Sequence, residues 1–282
     1  MPSRSDKDEE MRREILALDR GIHDLLMKRT EAVLASSPAD ETHSPAPLHV
    51  SHAARSLRGI LARHSGRFPP RALVQIWSDI FFAMDTQTTL HVYGGEDVPR
   101  FWDLARTHFG CTMPLIGHTS AMAVVQACVN DSSALGLLPP PESIEGGQAW
   151  WEQLAPAGHP GPRIAQCLPF ARNDSPSVPL PMGYVIGAIE QESTGTDTSV
   201  LRLTCQAEMS RARLQTVLKQ TGFEAQILAA SRDSAASRLL VANRGFVAAD
   251  DERLAAVKKI GGDALESVML VGGFADPFEV VA

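Results

Sequence analysis

The stretch "MRREILALDRGIHDLLMKR", residues 11–29, repeats apolar side chains at helical spacing. At about 100° per residue, Met11, Ile15, Leu18, Ile22, Leu25 and Val33 fall on one stripe, which predicts a first helix running to about Ala35. Arg29 falls at the centre of that stripe and Arg12 at its edge. A guanidinium in an apolar seam needs a partner, because burying it alone is costly. No carboxylate shares the stripe, so another helix or a ligand is expected to meet Arg29.

The segment "SSPADETHSPAPLHV", with its three prolines, breaks the helical pattern. It resumes in "HAARSLRGILARHSGR", where Ala54, Leu57, Leu61 and His64 share a face. A third helix is predicted in "FPPRALVQIWSDIFFAMDTQTTL", with Pro70 suited to the first turn and Ile76, Ile80, Phe81, Met84, Gln87 and Thr88 recurring at helical spacing.

From His91 to about Asn173 the pattern alternates: strand "LHVYGG", helix "DVPRFWDLARTHFG" closed by Gly110, strand "CTMPLIGH", helix "TSAMAVVQACV", strand "SALGLLPP" and helix "GGQAWWEQLA". Such alternation predicts a parallel sheet. Beyond the proline-rich "SPSVPLPMG" come strands "YVIGAIE" and "TSVLRLTCQ", helix "SRARLQTVLKQTG", strands "EAQILAAS" and "SRLLVANRG", helix "DDERLAAVKKIG" and strand "SVMLVGGF". That order predicts an antiparallel sheet with helices on one face. The chain therefore reads as multidomain α + α/β: a helical domain over residues 1–92, a small α/β lobe over 93–175 and an α+β domain over 180–282.

Composition changes this picture little. With 282 residues, 44% hydrophobic and 21% charged, the chain can bury a sizeable core without disulfides. Cys111, Cys128, Cys167 and Cys205 form no CxxC pair and read as buried apolar residues in a reducing compartment. No apolar run suits a membrane span, and the polar N-terminus does not resemble a secretory signal, so the expected location is the cytoplasm. A net charge of -7 argues against nucleic-acid binding.

Charge is uneven, however. Between Thr42 and Ser78 there is no Asp or Glu, yet the stretch holds Arg55, Arg58, Arg63, Arg67 and Arg71. With Arg12 and Arg29 these residues either build a positive pocket for a small polyanion or form a solvated basic face. Gln87 is either a ligand-binding amide or a satisfied core residue. His49 and His52 lack acidic or cysteine companions, which disfavours a metal site, and no cofactor is expected. GxGxxG, P-loop, HExxH and GxSxG motifs are absent. The glycine pairs of "YGGEDV" and "IEGGQ" are weak anion-binding signals, and Trp150 and Trp151 read as core.

The arginines of the first helix, "ILARHSGRFPPRALVQIWSDIF" and the glutamine after it resemble the all-helical class of chorismate mutase, in particular mutases fused to prephenate dehydratase. "VYGGEDV", "ARTHFG", "ALGLLPPPESIEGG" and "RIAQCLPF" resemble landmarks of the dehydratase, and the third region has the element order of an ACT domain. The resemblance implies an intertwined helical homodimer that rearranges chorismate to prephenate by positioning and charge stabilisation alone. It makes Arg12 the arginine contributed across the dimer, Arg29 the carboxylate ligand within the protomer and Gln87 the partner of the ether oxygen. It extends the substrate-binding set to His52, Arg55, Arg58 and Ala83. The family's lysine position falls near Asp40, and Arg55 or Arg58, one turn away, would supply that charge. The family's Thr-Arg-Phe triplet does not precede "GYVIGAIE", so no prephenate dehydratase activity is expected. The competing expectation is a non-enzymatic regulatory or small-anion-binding protein on the same scaffold.

Overall fold

The computed structural model describes residues 4–36, 50–83, 85, 87–94, 98–141, 149–173, 182–234 and 236–280. They divide into two compact units, Met1–Ala46 and Pro47–Ala282. In the first, the apolar stripe forms α1 (Arg4–Ser36). Met11, Ile15, Leu18, Ile22 and Leu25 on it are exposed, so the stripe lacks the cover a core would give.

In the second unit α2 (Val50–Ala62) and α3 (Pro70–Phe82) lead into β1 (Leu90–Tyr93), α4 (Val98–Phe109), β2 (Leu115–His118), α5 (Ala121–Asn130) and β3 (Leu135–Leu138). Pro70 opens α3, as its fixed φ and missing N–H favour. Gly110 ends α4 at φ +79. The strands β1, β2 and β3 pair in parallel, as the alternating pattern predicts. The expected boundary at residue 92 falls inside this unit. Ala54 and Leu57 of α2 and Phe82 of α3 share one core with Leu90, Val92, Leu104 and Phe109, so the described residues give no separate three-helix domain. "WWEQ" is a 3-10 turn rather than a full helix, and Trp150 and Trp151 are buried in it.

The remaining elements are β4 (Arg163–Leu168), β5 (Ala171–Asn173), β6 (Gly183–Gly187), β7 (Asp197–Gln206), α6 (Arg211–Gln220), β8 (Ala225–Arg232), β9 (Ala236–Arg244), α7 (Glu252–Gly261), β10 (Leu265–Ala275) and β11 (Phe278–Val280). Strands β7 to β10 form the expected antiparallel array. Helices α6 and α7 pack on it through Leu214, Val217, Leu218 and Val257.

The two sheets expected from the sequence are joined in one. The strand order is β2-β1-β3-β6-β4-β10-β7-β9-β8. A single core holds Val124, Trp150 and Ile186 on one side and Val200, Leu240 and Val271 on the other. The expected boundary between 175 and 180 lies outside the described residues. The joint is β4 with β10, where Gly272 pairs with Ile164. Cys128, Cys167 and Cys205 are buried as expected, but Cys111, just past the end of α4, is exposed.

Candidate functional site

The residues singled out in the sequence are distributed over both units. Arg12 and Arg29 lie on α1. Arg12 is exposed, whereas Arg29 is partly buried and that burial lowers its pKa. His52, Arg55 and Arg58 lie on α2. His49 lies outside the described residues. His52 is exposed, its Nε2 within 3.2 Å of the Ser56 hydroxyl.

Arg55 and Arg58 have protein partners. Arg55 donates to the Ser193 carbonyl at 2.8 Å and to the Glu192 carboxylate at 3.2 Å. Arg58 donates to the Thr194 hydroxyl at 2.9 Å and to the carbonyls of Thr196 at 3.1 Å and Asp276 at 2.6 Å. Its guanidinium also lies 5.5 Å from the centre of the Phe170 ring. The loop they hold is organised by buried Asp197, whose carboxylate accepts from the Thr194 and Gly195 N–H groups and the Thr194 hydroxyl. The acidic partner of Arg55 thus arrives from more than a hundred residues away. Arg63, Arg67 and Arg71 are exposed, as a solvated basic face would be.

Gln87 is not on a helix. Helix α3 stops at Phe82, Ala83 is its exposed C-terminal cap, and Gln87 is exposed in the loop beyond. The Asp85 carboxylate accepts the N–H of Gln87 at 3.2 Å and of Thr88 at 3.0 Å. This side-chain turn competes with the helix for those donors, which helical periodicity does not register. Met84 lies outside the described residues.

A shallow cleft, open to solvent, lies between α2, α3 and α4. Its lining includes Leu57, Phe81, Phe82 and Phe170, with Ser78, His108 and Gln166 as the polar groups. A second shallow cleft shares Leu57, Ser78, His108 and Phe170. Among the described residues that line them, neither cleft has an Asp, Glu, Lys or Arg.

His108 is the chemical centre of this region. Its Nε2 lies 3.2 Å from Gln166 Oε1. An amide oxygen only accepts, so that nitrogen carries the proton and Nδ1 keeps its lone pair. The ring packs edge-on to Phe109 at 4.7 Å and tilted to Phe82 at 5.5 Å. Burial pushes its pKa down to about 4, against the opposing bond to Gln166. His108 is therefore neutral at pH 7, and the cleft is an uncharged, aromatic-walled site with a few hydrogen-bonding groups. His108 has a sequence signal, since it follows Phe101, Leu104 and Ala105 on the apolar face of α4. Gln166, inside a strand buried along its length, has none.

The sequence matches no known family and no curated protein. Among solved structures, the chain is similar to prephenate dehydratase from Streptococcus mutans, with TM-score 0.46 and 12% identity over 68% of this chain and 100% of that one. It is similar at TM-score 0.46 and 13% identity to the L-Phe complex of prephenate dehydratase from Arthrobacter aurescens, over 69% of this chain and 93% of that one. It is also similar to GqqA, described as a novel type of quorum quenching acylase, at TM-score 0.44 and 9% identity over 66% of this chain and 94% of that one. With TM-scores below 0.5, these likenesses assign neither a family nor an activity. Among the described residues no helix is long and apolar enough to cross a membrane, and no group of three or more His, Cys, Asp or Glu is placed to hold a metal ion.

Proposed function

We propose that this chain is a non-enzymatic regulatory protein that binds a small, uncharged, largely apolar molecule in the cleft between α2, α3 and α4. The observation that supports it is the cleft's lining: aromatic walls, a neutral His108 whose Nδ1 can accept, and no charged side chain among the described residues. Such a lining favours an aromatic ring carrying a hydrogen-bond donor and disfavours a dianion such as chorismate, whose charge would be desolvated without a cation. The test is thermal unfolding of the whole chain with indole, benzamide or chorismate, alongside a chorismate-consumption assay. Indole or benzamide at a hundredfold excess over its Kd is expected to raise Tm by about 5–10 °C, while chorismate is neither bound nor consumed. Chorismate consumption above the uncatalysed rate, or no shift with either aromatic probe, would overturn the reading.

A second reading, chorismate mutase, is favoured by the partly buried guanidinium of Arg29 in the α1 seam. On that reading Arg29→Ala lowers chorismate affinity by about 2–5 kcal/mol with little change in Tm, and Arg29→Lys restores little because an ammonium lacks the planar fork. Lower Tm with unchanged chorismate handling would make Arg29 a structural residue. On either reading no phenylpyruvate is expected from prephenate.

The exposed seam of α1 supports assembly as a homodimer. Ile15 and Ile22 alternate with Leu18 and Leu25 at the three- and four-residue steps of a coiled-coil seam. Sedimentation equilibrium at micromolar concentration is expected to give twice the chain mass. Ile22→Asp, which places a carboxylate in the seam, is expected to give the monomer.

A further inference from the structure

The nine-stranded sheet ends at β2, a strand of four residues whose sheet partner is β1. On one face of these strands His91 of β1 and His118 of β2 meet, with Nδ1 of the first 2.8 Å from Nε2 of the second. The ring centres are 5.0 Å apart and the planes 31° from parallel, so the two nitrogens face each other nearly head-on. We infer that His91 and His118 form a proton-sensitive latch, holding edge strand β2 on the sheet while both rings are neutral and releasing it once both are charged.

The mechanism is one of proton counting. A neutral pair has one N–H and one lone pair at the contact, which makes one hydrogen bond. Charging both rings puts a proton on each facing nitrogen. The lone pair is gone, two like charges stand at the same contact, and the rings must part.

The described residues around the pair offer little to offset that repulsion. Helix α5 packs on β1 and β2, and its sequence "AMAVVQACVN" has no Asp, Glu, Lys, Arg or His. Its Cys128 stays a thiol because burial pushes its pKa up to about 12. Tyr93 is the remaining titratable residue on β1, and β2 and β3 add none. Helix α4 shares the core of the opposite face, with Leu90 and Val92. Among the described residues the nearby fixed charge is Asp131, past the end of α5, whose carboxylate accepts from the Ser133 N–H at 2.8 Å and hydroxyl at 2.6 Å. It favours a proton on His91, yet burial and His118 still hold His91 below its ordinary pKa. One carboxylate compensates one added charge and does not restore the lost bond.

Amide hydrogen exchange of the whole chain at pH 7.5 and pH 5.0, corrected for intrinsic rates, tests this. Protection of residues 115–118 is expected to fall about tenfold or more at pH 5.0 relative to residues 183–187 of central strand β6 in the same sample, which absorb any global change. In His118→Gln the amide oxygen accepts from His91 whether or not that ring is charged, so the selective loss should vanish. His91→Gln serves equally if that variant does not fold. Equal protection of β2 at both pH values, or the same selective loss in both variants, would overturn the latch.

Discussion

Gly272→Ala is expected to lower stability by about 4 kcal/mol or more, which for a unit of this size moves Tm by about 8–16 °C. A Cβ at this position would stand 2.1 Å from the Ile164 carbonyl oxygen, 2.7 Å from its nitrogen and 2.9 Å from its carbonyl carbon. All three are backbone atoms of β4, so relief requires moving a strand rather than turning a side chain. The residue also has φ +119, a conformation open to glycine and strained for alanine. Gly245→Ala separates the two causes. Gly245 has φ +99, but a Cβ there meets nothing within 4 Å. It should show the backbone strain alone, about 1–2 kcal/mol. Calorimetry of both variants checks the claim: equal Tm values would mean that the contact between β4 and β10 does not hold the sheet together.

Acid should weaken the fold well above the range in which carboxylates titrate. An unfolded imidazole takes up its proton near pH 6.5, whereas folded His108 does so at about 4. Between these values the unfolded state binds more protons, so stability falls as pH falls. The contribution is fully present above pH 6.5 and lost by about pH 4, and amounts to about 3 kcal/mol. In His108→Gln an amide donor can still face Gln166 but cannot titrate, so the variant's unfolding free energy should decline about 3 kcal/mol less over this window. Asp131 and Asp251, whose hydrogen bonds hold their pKa values below the ordinary carboxylate range, add their own acid sensitivity lower down. His91 adds to the same window with the same sign. Both contributions are common to wild type and variant. Urea titrations at pH 7 and pH 4 supply the comparison, and parallel declines would show that the fold does not hold His108 neutral.

Local chemistry wrote the elements into the sequence. The apolar stripe of α1, Pro70 at the start of α3, Gly110 at the end of α4 and the alternation through β1, α4, β2, α5 and β3 are set by neighbours within a turn or a strand. The antiparallel order from β7 to β10 was legible for the same reason. What required the tertiary structure was every relation between distant residues. Helices α2 and α3 bury their apolar faces against α4 and β1, which periodicity cannot show because it names a face and not its cover. One sheet replaced two because Gly272 lets β10 approach β4, and nothing near residue 272 in the sequence marks Ile164 as its neighbour. Arg55 and Arg58 looked free of counterions because Glu192 and the carbonyls of residues 193, 196 and 276 are remote in the chain. Gln87 left the helix because Asp85 captured its N–H. His108 was visible as a histidine on an apolar face, but its neutrality and its bond to Gln166 exist only where α4 meets β4, since desolvation is a property of the packed site and not of the residue.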